Sequence, residues 1–140
     1  MKAKTILICL IGIIPILYGC GKESTQKLDE MVSMESILKF TGTFRGYGSE
    51  NVSGLAKIYV TNNQYMLKLE NFNTSNGPDL KVYLSTASSP SEFISLGSIK
   101  STNGNQVYEI TGTPDFTRHK FVLIHCERYN HLFGSAELMK

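Results

Sequence analysis

Few side chains in this sequence offer chemistry beyond packing. Cys126 closes an apolar run, Lys120-Phe-Val-Leu-Ile-His-Cys126. A thiol there can act as a nucleophile, a redox group or a soft metal or haem ligand, or as a small hydrophobe in a core. His119, His125 and His131 recur at intervals of six. On one strand His119 and His125 would share a face about 20 Å apart, too far to hold one metal. His125 and Cys126 alternate across a strand, which excludes a dyad between neighbours. His131 lies past a turn and can fold back, so packed or solvated histidines are expected, and no metal site. In Asn76-Gly-Pro-Asp79 the residues Gly77, Pro78 and Asp79 read as a structural turn. Gly77 precedes a proline, which favours extended or left-handed backbone, and the Asp79 carboxylate can accept backbone N–H groups. A calcium site there would need further oxygens, for which only Glu70 and Asn71 are near in sequence. Tyr47, Tyr59, Tyr83 and Tyr108 can line a carbohydrate-like surface or pack half-buried. No Ser-His-Asp spacing, HExxH, P-loop or dinucleotide fingerprint is present, so no enzyme and no cofactor is expected.

These residues need a frame, and from Phe40 onward the frame reads as strands. Phe121, Val122 and Ile124 favour extended backbone, and a short apolar run between polar ends reads as a central strand buried on both faces. Val122, Ile124 and Cys126 then share one face, with Phe121, Leu123 and His125 on the other. Alternating segments precede it at residues 39–45, 52–61, 64–70, 80–85, 93–100 and 106–111, and Ser135 to Met139 closes the sheet. Asn62-Asn63 marks a hairpin, and Thr113 to Thr117 a connector. About eight short strands with turn signals between them imply an all-β fold, a single antiparallel β-sandwich or flattened barrel. Residues 20–38 read as a tether, in which Leu28, Met31, Val32, Ile37 and Leu38 have the spacing of a short amphipathic helix. Its methionines lack the His or Cys that a copper site would add.

The first nineteen residues read as a separate object. Lys2 and Lys4 precede an apolar stretch, Thr5 to Tyr18, shorter than the ~20 residues that span a bilayer. Leu17-Tyr18-Gly19-Cys20 follows and resembles a bacterial lipobox. The resemblance implies cleavage before Cys20 and its acylation, palmitate among the chains, with the protein membrane-anchored and extracytoplasmic. Loss of Lys2 and Lys4 lowers Lys+Arg from 14 to 12, equal to the 12 Asp+Glu. A neutral mature chain has no electrostatic footprint for nucleic acid. Cys9 leaves with the signal and Cys20 becomes a thioether, so Cys126 has no disulfide partner in the same chain and the core must supply the stability.

Residues 39–140 resemble the DM13 domain. The points of contact run in order along the chain. They are Gly42-Thr-Phe44, Ser53-Gly54, Ala56-Lys-Ile58, Leu67-Lys-Leu-Glu-Asn-Phe72, Asn76-Gly-Pro-Asp-Leu-Lys-Val-Tyr-Leu-Ser85, Leu96-Gly97, Gly104-Asn-Gln-Val-Tyr-Glu-Ile110, Val122-Leu-Ile-His-Cys126 and Phe133-Gly-Ser-Ala-Glu-Leu138. The family often carries His before the Ser-Gly pair, where Asn51 stands here. The resemblance implies a small exported all-β module and, as an alternative to binding an unknown protein or small molecule, electron transfer through Cys126.

Overall fold

The computed structural model describes residues 27–140, which form nine strands and, among those residues, no helix. The strands are β1 (Leu28–Asp29), β2 (Ile37–Gly46), β3 (Val52–Thr61), β4 (Gln64–Thr74), β5 (Leu80–Ser85), β6 (Ile94–Ser98), β7 (Asn103–Ile110), β8 (Phe121–Cys126) and β9 (His131–Glu137). They build one sheet in the order β1-β7-β4-β3-β2-β9-β8-β5-β6. All neighbours are antiparallel except β1 with β7. The sheet curls until its ends face each other, with Ile94 and Leu96 of β6 across a cleft from Val107 and Tyr108 of β7. Lys100 N–H donates to Tyr108 Oη (3.0 Å) near that seam. The result is a flattened half-barrel, as the short strands and frequent turns imply.

Alternation along each strand sends one set of side chains into a shared core. Ile58, Leu67, Leu69, Val82, Leu84, Ile110, Val122, Ile124 and Cys126 are each 0% exposed. Phe44 and Phe72 add an edge-on aromatic pair with ring centres 5.4 Å apart. β8 is buried on both faces, as its composition predicts: Leu123 is 0% and His125 5% exposed on the side away from the core. The segment between β5 and β6 covers that outer side. Ser85 Oγ donates towards the carbonyls of Ser89 (3.2 Å) and Ser91 (3.0 Å), and the Phe93 ring stacks on Tyr83 at 4.0 Å.

The tether departs from the expected helix. Leu28 and Asp29 add a ninth strand, in parallel register with Gly104 and Asn105. Gly104 has φ +107°, and a Cβ there would run into the Leu28 backbone, so glycine is what admits the added strand. Asn105 Nδ2 donates to Asp29 Oδ1 (2.7 Å), and Val107 N–H (2.7 Å) and Lys100 Nζ (2.8 Å) donate to Glu30 Oε2. A lone helix of about ten residues is marginal in water, whereas an open sheet edge offers ready-made partners. Met31 and Met34 are left exposed. Strand limits also move. β4 continues past Asn71, which adopts φ +48° at a bulge, and β9 starts at His131 rather than Ser135. Asn62 and Asn63 take φ +48° and +62°, the paired left-handed turn expected of that hairpin.

Candidate functional site

Cys126 lies in the core with Val122 and Ile124, as strand alternation requires, and is wholly buried. Its neighbours across the sheet are Leu80 on β5 and His131 on β9. Arg128 lies in the turn beyond the strand and is exposed, so it does not bring its guanidinium to the core side. The thiol therefore has no electropositive, solvent-reachable setting of the kind that reactive cysteines use.

The Gly77-Pro78-Asp79 turn lies beside the end of β8: Glu127 N–H donates to the Asp79 carbonyl (3.0 Å). Gly77 is needed for space and not for a left-handed φ, because a Cβ would come within 2.8 Å of Leu80 Cδ2 and 2.9 Å of Phe133 Cζ. The Asp79 carboxylate does not cap backbone N–H groups but pairs with Lys81 Nζ at 2.9 Å. Glu70 is held by Lys57 and Lys68, which removes it as an oxygen donor for Asp79. Among the described residues no group of three or more His, Cys, Asp or Glu is placed to hold a metal ion. The donor set around Cys126 thus does not fit a metal centre.

The outer side of β5 and β8 holds an aromatic layer. Tyr83 lies between Phe93 (4.0 Å) and His125 (5.6 Å), and its hydroxyl donates to Glu127 Oε1 at 2.6 Å. Burial, reinforced by the Glu127 carboxylate, pushes the Tyr83 phenol well above its ordinary range. Burial likewise raises Tyr108 to about 12. Of the tyrosines considered for a carbohydrate-like surface, Tyr83 and Tyr108 are thus packing residues, and Tyr47 is exposed.

Two of the histidines meet. His131 folds back on β9 as its position past the turn allows, and with His125 it lines one cleft of about 430 Å3. His125 Nε2 lies 3.2 Å from Asn130 Oδ1, while its buried Nδ1 has no partner. His131 Nε2 is 3.3 Å from Glu50 Oε1, and its ring meets Phe133 edge-on at 5.5 Å. β2 contributes Arg45 and the following Tyr47, β9 contributes Ser135, and Ser88 to Pro90 form the opposite rim. His119 stands apart, its Nε2 2.9 Å from the Glu92 carbonyl. Arg45, Ser88, Asn130 and Ser135 were not legible as site residues. The pairing of Arg45 with Ser135 across β2 and β9 brings those two to the histidines, the β5–β6 segment brings Ser88, and Asn130 adjoins His131. The described surface, then, offers a polar cleft beside β8 and a sealed thiol beneath it. Cys20 and the residues before it lie outside the described part of the chain.

No curated protein and no solved structure matches the chain significantly. A family model described as electron transfer DM13 matches residues 39–138, from β2 through the residue after β9. The match covers most of the sequence and includes both the Gly-Pro-Asp turn and the β8 cysteine, and the chain belongs to the DM13 family.

Proposed function

We propose that this chain is an extracytoplasmic lipoprotein, acylated at Cys20, whose DM13 domain is a non-enzymatic binding module. The observation that carries the reading is the cleft between β8, β9 and the β5–β6 segment, where several polar groups converge beside two imidazoles. A volume of about 430 Å3 lies within the range of small-ligand sites. Anchoring rests on the charged start, the short apolar stretch and Leu17-Tyr-Gly-Cys20. Cys20→Ser is expected to leave an unprocessed precursor or release the domain from membranes. A mutant that still fractionates as mature, lipid-bearing protein refutes the anchoring. A photo-crosslinking residue at exposed Tyr47 is expected to capture a reproducible partner or ligand in intact envelopes, and one at exposed Met34 is not. Equal capture at both positions refutes the cleft as the binding surface.

The family description favours a second reading, electron transfer, for which Cys126 would be the residue. The buried thiol and the absence of a surrounding donor set among the described residues weigh against Cys126 as a ligand or exchange-active group.

A further inference from the structure

We propose that the cleft beside β8 takes a small hydroxylated molecule carrying an oxyanion, either a carboxylate or a phosphate. The inference rests on the binding-module reading and deepens it. The residues lining this cleft include one permanent cation, Arg45, two imidazoles and the hydroxyls of Tyr47, Ser88 and Ser135, and no carboxylate. The other described clefts each include a carboxylate, Glu109, Glu137 or Asp115, and Arg45 also borders the one that holds Glu137.

Arg45 is also available. Glu137, which borders the neighbouring cleft with it, is paired with Lys120 at 3.4 Å. Among the described residues Arg45 takes part in no ion pair. The nearest acid to the cleft, Glu50, is bound to His131. Elsewhere Glu127 accepts from the Tyr83 hydroxyl, and Asp79 pairs with Lys81. A guanidinium left free above hydroxyl donors is a fork suited to bidentate oxyanions. His125 forms the buried inner wall of the cleft, with Nε2 3.2 Å from Asn130 Oδ1.

The test is an NMR titration of the full mature chain in detergent micelles, with glucuronate, glycerol 3-phosphate, inorganic phosphate and glucose as separate probes. Saturable shifts are expected at Arg45, Tyr47, His131 and Ser135 with glucuronate or with the phosphate probes, and not with glucose. The responding arm identifies the source as carboxylate or phosphate. Arg45→Gln, on an exposed site and checked for an unchanged spectrum elsewhere, is expected to weaken binding by about tenfold or more. Raising sodium chloride from about 0.05 to about 0.5 M is expected to weaken it further. Glucose binding the cleft as tightly as the anions overturns the proposal while leaving the binding-module reading intact. No cleft shift with any probe, or Arg45→Gln binding like the parent, also overturns it; the Tyr47 crosslinking experiment then judges the broader reading separately.

Discussion

Native Cys126 should be chemically silent, and the structure fixes how silent. The thiol is 0% exposed, on the same face as Val122 and Ile124, which are 0% exposed as well. β8 is hydrogen-bonded to β5 on one side and β9 on the other, so no edge fraying exposes the sulfur. A reagent must await an opening that parts the sheet. If that opening costs about 5 kcal/mol, the lower end for a small domain, labelling is slowed by about three to four orders of magnitude. The assay is the rate of colour release from an aromatic disulfide reagent near neutral pH, native against denatured. Cys126→Ser should cost ~1–3 kcal/mol, because its hydroxyl enters a site lined by apolar side chains. Cys126→Ala, which buries no polar atom, should cost less. Native labelling within about tenfold of the denatured rate would refute the reasoning, since that rate corresponds to an opening of only ~1.4 kcal/mol. Cys126→Ser as stable as the parent would refute the apolar setting.

Other expectations follow from single contacts. Gly77→Val places methyl groups against Leu80 and Phe133, and should lower stability by ~1–3 kcal/mol, read as a fall in the melting temperature; an unchanged melting temperature would contradict the crowding. Burial raises the Glu30 carboxyl, but hydrogen bonds from Lys100 and Val107 N–H outweigh it and hold it below its ordinary 4.5. Its folded value being lowered, Glu30 stabilises the β1–β7 contact above pH 4.5, and the contribution is lost as pH falls through the folded value. Amide exchange at Asp29 and Glu30 should therefore accelerate on acidification relative to β8, and Glu30→Gln should abolish that difference. For Tyr83 and Tyr108 the folded values are raised, so their stabilising contribution is full below the ordinary 10.0 and lost as pH climbs through the folded values. Phenolate absorbance should show a late-titrating set, reduced by Tyr83→Phe and by Tyr108→Phe; all tyrosines titrating together near 10.0 would contradict their burial.

The parts of this fold governed by local pattern were legible in the chain. Period-two alternation placed Val122, Ile124 and Cys126 on one face, and the density of apolar residues marked β8 as buried on both. Asn62-Asn63 announced its turn because asparagine tolerates the left-handed region. What local pattern could not supply was pairing. The tether's apolar spacing fits a helix, yet Leu28 and Asp29 join an edge opened by Gly104, some seventy-five residues later in sequence. The Gly77 requirement looked conformational and proved steric, because Phe133 arrives from β9. The cleft was hidden for the same reason: Arg45 and Ser88 are far in sequence from His125 and His131, and strand pairing and the β5–β6 segment bring them together. His119 stands apart on Glu92, and sequence spacing could not pair His125 with His131 at one cleft.

Binding rather than electron transfer is the central claim, and a visible absorption spectrum tests it directly. The full chain, purified in detergent from its native envelope, is scanned before and after addition of dithionite. Only the ultraviolet bands of tyrosine and phenylalanine are expected, unchanged by the reductant. A Soret band, a thiolate-to-metal charge-transfer band, or any visible band that dithionite bleaches, and that Cys126→Ala removes, would contradict it.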